Sequence, residues 1–196
     1  MKLGTRSVLF GVHQFLIHPW FVAAAWCRLY GFPLDPRLWV AFFVHDLGYI
    51  GKPNMDGPEG DLHPYLGARI MGAIFGRYWY EFCLYHSRFL AKKEAKHISQ
   101  LCIADKLAIV LTPAWLYIPM ARLTGEIKEY MALADTRGKD DNKYAFMQVH
   151  SKDRQVWFWN VKEYLRAWVA EHKDGRKDTW TPVVGKTAKD KSGVWK

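Results

Sequence analysis

Val44-His45-Asp46-Leu47-Gly48 closes an apolar run, and an imidazole beside a carboxylate offers two metal ligands at once. Nitrogen from histidine and oxygen from aspartate together suit Zn, Fe, Mn and related divalent ions. A His-Asp pair is common by itself, so its meaning depends on what else the chain supplies. Four further residues of the same chemistry lie at helix starts, on helices or near their ends: His18 before Pro19, His63 before Pro64, His86 in Tyr85-His86-Ser87-Arg88, and Asp105 among Leu101, Ile103, Leu107 and Ala108. Their separation in sequence is too great for one local clip, so the fold must bring helix ends together, as helical bundles do.

The elements that would position them are read from punctuation and apolar spacing. Ser7 to Ile17 predicts a helix with Val8, Val12, Phe15 and Leu16 on one side. A second starts at Pro19, which is tolerated in a first turn, and stops at Gly31. Asp35-Pro36 gives an N-cap and first-turn proline for a helix ending at His45-Asp46 near Gly48. Tyr49 to Asp61, rich in glycine and proline, reads as a surface loop over that pair. His63-Pro64 opens a helix that Gly76 ends; Tyr78 to Phe89 predicts a short aromatic helix carrying His86, and Glu94 to Leu111 a longer one carrying Asp105. A helix through Leu123, Ile127, Tyr130 and Met131 follows, then a polar loop from Thr136 to Lys143 and a last helix from about Asp153 to Ala170. No strand and no repeat is evident, so the chain is expected to be all-α. It reads as one domain over residues 1–172, with a basic, loosely held tail over 173–196.

The whole chain has 196 residues, half of them hydrophobic and 16% aromatic, ample for one core. A formal charge of +9 favours anionic partners. Cys27, Cys83 and Cys102 make an odd count within apolar stretches, which argues against a disulfide framework, reads as core thiols and points to a reducing, cytoplasmic setting. Val8 to Trp26 is uncharged and long enough to span a bilayer. It carries His13, Gln14, His18 and Pro19, however, and a buried helix pair is the better reading, so no membrane partner is expected.

In its ordered ligands the sequence resembles the HD-domain superfamily of metal-dependent phosphohydrolases. The matching stretches are His18-Pro19-Trp20-Phe21-Val22, Val44 to Gly48, and Ala104-Asp105-Lys106-Leu107-Ala108, so the likeness covers roughly residues 8 to 110. It implies an HD-type helical bundle with His18, His45, Asp46 and Asp105 on one divalent ion. His63 and His86 resemble the further ligands of two-metal members, with Asp46 bridging because a carboxylate has two oxygens. Two such ions, Fe, Mn or similar, would activate a water to attack a small phosphorylated substrate, with a nucleotide the expected class. Many members follow His-Asp with Gly-Lys; here Tyr49 takes the lysine's place and Lys52 comes three residues later. The Gly-Tyr-Pro signature of cyclic-di-GMP phosphodiesterases is absent. Some two-metal members are di-iron oxygenases, and an inactive nucleotide-binding module is a third possibility on the same scaffold.

Asp46 and His86 are the expected catalytic residues. Arg88, Lys52 and Lys106 are candidates for the substrate phosphate, since guanidinium pairs bidentately with such oxygens; a surface ion pair is the bland alternative for each, and Arg69 has similar standing. His13 is the runner-up for the role of His18, and His97 reads as either exposed or placed behind the ligands. Tyr78, Trp79, Tyr80 and Phe82 read as core packing rather than a base-stacking platform. Gly185-Lys186-Thr187 lacks the first glycine of a phosphate-binding loop, with Trp180 in its place, and is not preceded by a strand. The basic tail predicts at most salt-sensitive, nonspecific affinity for nucleic acid.

Overall fold

The computed structural model describes residues 1–137 and 151–176, which form ten helices and no strand. The helices are α1 (Leu3–Phe10), α2 (His18–Tyr30), α3 (Pro36–Val44), α4 (Pro64–Phe75), α5 (Arg77–Leu84), α6 (Arg88–Lys93), α7 (Gln100–Leu111), α8 (Ala114–Thr124), α9 (Glu126–Arg137) and α10 (Arg154–His172). Single 3₁₀ turns lie at Leu47–Tyr49 and Gly60–Leu62. The fold is all-α.

Several starts and stops follow the sequence's punctuation. Asp35 accepts the Arg37 N–H at the head of α3, Pro19 and Pro64 sit in first turns, and Gly31 and Gly76 end α2 and α4. Asp153 accepts from the Gln155 and Val156 N–H groups at the head of α10. Other boundaries differ from expectation. α1 stops at Phe10, because the Val12 N–H is taken by the Glu126 carboxylate at 2.9 Å. Residues 11–17 therefore turn, and Phe15 and Leu16 are exposed instead of facing the core. The aromatic helix ends at Leu84, and His86 occupies the turn before α6, which Ser87 caps. α7 begins only at its Ser99 cap, and Gly125, at φ +89, splits the expected helix through Leu123 and Met131 into α8 and α9. The loop after Tyr49 is no mere surface cover, since it buries Met55 completely. α9 runs on to Arg137; the rest of the expected polar loop, residues 138–143, and the tail beyond Arg176, with the Gly185 motif, lie outside the described residues.

α7 is the central element. Leu101, Ala104, Asp105 and Ala108 recur at helical spacing on the face that meets α2, where Val22 and Ala25 are fully buried. Small residues on both sides let the helices approach closely, and the same two stripes carry Asp105 and His18. The opposite face of α7 packs Cys102, Ile103 and Val110 against Tyr164, Leu165 and Trp168 of α10. Trp79 and Phe82 are core residues, as expected, while Tyr78 is exposed. Cys83 and Cys102 are buried and in no disulfide, but Cys27 is exposed and no core residue. Among the described residues no single helix is long and apolar enough to cross a membrane; α7 and α8 reach that length only together, and they meet at a bend of 102°.

Two glycines permit the contact that matters most. Gly48 lies against the backbone of His63, and a Cβ on Gly67 would stand 2.6 Å from the Val44 carbonyl oxygen and 3.0 Å from His45 Cα. α3 and α4 can thus meet backbone to backbone where their histidines emerge. Gly67→Ala is expected to cost about 1–3 kcal/mol through overpacking, read by urea unfolding; an unchanged midpoint would mean the close approach is dispensable.

Candidate metal centre

The six side chains converge. His18, His45, Asp46 and Asp105 form one buried group and Asp46, His63 and His86 a second, with the ligand atoms of each group within 4.8 Å of one another. Each group could hold a metal ion, and Asp46 belongs to both. Its Oδ2 faces His45 Nε2 at 3.1 Å and His18 Nε2 at 3.5 Å, and its Oδ1 faces His63 Nε2 at 3.5 Å and His86 Nε2 at 3.6 Å. Asp105 Oδ1 stands 3.0 Å from His18 Nε2 and 3.8 Å from His45 Nε2.

The tautomers are set by the backbone. His45, His63 and His86 each direct Nδ1 at the carbonyl oxygen three residues earlier, at 2.9, 2.8 and 2.5 Å. A carbonyl only accepts, so Nδ1 carries the hydrogen and Nε2 is left to bind. His63 and His86 then point Nε2 at Nε2 across 3.0 Å, two lone pairs that only a proton or a cation between them reconciles. His45 Nε2 and Asp46 Oδ2 are buried without an aligned hydrogen bond despite their proximity. Orphaned acceptors, paired lone pairs and an all nitrogen-and-oxygen donor set fit divalent cations.

Without metal the site is balanced by protons. Burial disfavours a charged His45, but the Asp46 and Asp105 carboxylates outweigh it and raise its pKa to about 10. Burial opposes ionisation of Asp46 and Asp105 too, yet His45 beside the first and Lys106 beside the second hold both well below the usual carboxylate range. Burial, reinforced by His86, holds His63 well below an ordinary histidine; burial also lowers His18, against the pull of Asp105.

A second layer steadies this one. Tyr49 stacks on His63 at 3.8 Å with the rings 13° apart, so the residue replacing the expected lysine is a buried support. Glu126, fully buried, accepts from Ser7 Oγ at 2.6 Å, Thr124 Oγ1 at 2.8 Å, Tyr130 OH at 3.1 Å and the Val12 N–H. His13 lies 3.5 Å from the same carboxylate and 2.9 Å from Ser7 Oγ, and belongs to neither ligand group. Glu129 accepts from the Met55 and Asp56 N–H groups and fastens the loop that leads to His63. No local spacing announces these roles: Ser7 and Glu126 are 119 residues apart.

Of the expected substrate contacts, Lys106 is engaged by Asp105 Oδ2 at 2.7 Å. Arg88 donates to the Tyr164 hydroxyl at 3.1 Å and lies over the Trp168 ring. Lys52 is half-buried after the Tyr49 turn, and Arg69 is exposed on α4. His97 is exposed, His172 is buried on α10 with Nδ1 donating to the Trp168 carbonyl, and His150 lies outside the described residues. Compared with protein-family models, curated proteins and solved structures, the chain gives no match.

The proton balance fixes a pH profile for chelator-stripped protein. A raised histidine such as His45 contributes stability that is complete below 6.5 and lost as pH climbs toward 10. His63 and His18, held neutral, contribute above 6.5 and lose it as pH falls below; Asp46 and Asp105 lose theirs further down, below 3.8. Urea unfolding is therefore expected to show a maximum near neutrality, with an alkaline limb that His45→Gln shrinks to the share of His13, which the Glu126 carboxylate raises against burial; a limb unchanged in that variant contradicts the assignment. Glu126→Ala, which strands four buried or half-buried donors, should cost about 3–5 kcal/mol, with Glu126→Gln milder in the same assay. Equal losses in the two would show that charge, rather than acceptor geometry, holds the turn.

Proposed function

We propose that the chain is a metal-dependent phosphohydrolase of the HD-domain type, cleaving a phosphoester or phosphoanhydride. The observation that carries this reading is Asp46, each of whose carboxylate oxygens faces a different set of imidazoles. His18, His45, Asp46 and Asp105 would hold one divalent ion, and Asp46, His63 and His86 a second, with Fe or Mn suited to such donors. When bound, the pair supplies a water activated near neutral pH and a Lewis-acid grip on a phosphoryl oxygen.

The chain's own residues do the rest. Three backbone carbonyls orient the imidazoles, Tyr49 fixes the ring of His63, and Lys106 neutralises the outer oxygen of Asp105. A narrow, largely apolar cleft lies over His18, His45 and Asp46, and His13 forms part of its wall. The net charge of +9 draws anions toward the surface. A nucleotide is the substrate class that the likeness to HD proteins suggests, and free thiols suit a cytoplasmic setting.

Protein stripped and reloaded with Mn or Fe is expected to hold two ions per chain and to release phosphate from members of a nucleotide and phosphoester panel. His63→Ala or His86→Ala should leave one ion, and Asp46→Ala should lose both, with turnover down at least about a hundredfold. Oxygen uptake with a mixed-valence iron signal and no phosphate release would instead identify an oxygenase; tight nucleotide binding without turnover would identify an inactive module.

A further inference from the structure

The two candidate positions are unequal. The first offers four protein donors, two of them carboxylate oxygens from Asp46 and Asp105; the second offers three, and its one carboxylate oxygen belongs to the Asp46 that it shares with the first. A cation with four protein ligands needs nothing further, whereas one with three keeps a coordination place for a ligand from solvent. Solvent reaches that second position: the His63 side chain is 11% exposed and that of Asp46 10%, against 1% for His45.

Charge sharpens the difference. An imidazole binds a cation as the neutral ring, and the Nδ1 hydrogens of His45, His63 and His86 are fixed on backbone carbonyls. Among the described residues Asp46 and Asp105 are the only negative groups in either set, so they neutralise one divalent ion and leave nothing for a second. The Lys106 ammonium, 2.7 Å from Asp105 Oδ2, adds a positive charge at the same place, and Arg88 lies close enough to repel it. Glu126 and Glu129 are engaged elsewhere, on the turn ahead of His18 and on the Met55 and Asp56 N–H groups. Two divalent ions thus carry two positive charges more than their ligands offset, and a buried charge without a partner is strongly destabilising. One hydroxide from water removes only half of that excess.

We infer that the second ion is held firmly only together with an oxyanion of the phosphate class, which fills the open place at Asp46, His63 and His86 and offsets the excess charge. At limiting metal the protein rests with one ion. Anion and second ion each strengthen the other's binding, because coupling between two sites is reciprocal. A phosphorylated substrate thereby recruits the ion that acts on it. The inference rests on the two-ion part of the proposed function, and not on ester cleavage.

The test titrates Mn into stripped, full-length protein, following free Mn by its electron paramagnetic resonance signal and the heats by calorimetry, in chloride and in inorganic phosphate of equal ionic strength. Two steps are expected, and phosphate should tighten the weaker by about tenfold while leaving the stronger unchanged. His63→Ala should remove the phosphate-sensitive step and keep the other. Lys106→Gln, which takes away a positive charge but no donor, should tighten the weaker step in chloride, the opposite of what a merely damaged site shows. Two steps indifferent to phosphate, or a response that added chloride reproduces, overturn the inference and leave two ions in place. A single ion at every metal concentration, with or without phosphate, overturns the two-ion reading as well. Phosphate-coupled binding without phosphate release from any ester keeps the inference and removes the phosphohydrolase.

Discussion

A carboxylate removed from water must be compensated on every side, or the fold that buries it is not stable. Asp46 imposes that requirement at the meeting point of the helices. Its two oxygens look in opposite directions, one toward the imidazoles from the starts of α2 and the end of α3, the other toward those flanking α4 and α5. The histidine-bearing helices converge there with their ends, while α7 brings Asp105 from its middle. At the end of α3, the start of α4 and the turn after α5, the rings of His45, His63 and His86 bond a nearby carbonyl through Nδ1 and turn Nε2 inward.

Convergence of that kind leaves little room for backbone. Gly48 and Gly67 remove side chains where α3 and α4 would collide, and the alanines of α7 do the same against α2. Charge is distributed by the same economy. Two carboxylates in one buried volume are met, in the absence of metal, by a protonated His45 and by Lys106, so the lysine beside Asp105 has a structural duty whatever else it touches.

Much of this was legible in the residues themselves. His-Asp at the end of an apolar run, and His-Pro twice at helix starts, mark candidate ligands by local rules about where polar rings sit and where proline is tolerated. The all-α fold followed from spacing and punctuation. Boundaries failed where a distant side chain intervened: apolar spacing continues smoothly past Phe10, but Glu126 captures the Val12 N–H and ends α1 there. The same capture turned Phe15 and Leu16 outward, a consequence no window of neighbouring residues contains. Tyr49 was visible only as a departure from an expected lysine, and its stacking on His63 required the loop after it to fold back. Cys27 fell on the wet side of α2 because helical spacing within an almost wholly apolar segment does not say which stripe is inner.

Glu126 and Glu129 lie one turn apart on α9, yet one grips the turn ahead of His18 and the other the loop ahead of His63. The candidate ligands end at residue 105, so a fragment chosen to contain them all would omit the helix that braces both halves of their frame. The frame of the candidate site is thus longer than the stretch that holds its His and Asp residues, and excising the first hundred-odd residues removes the brace along with the chain.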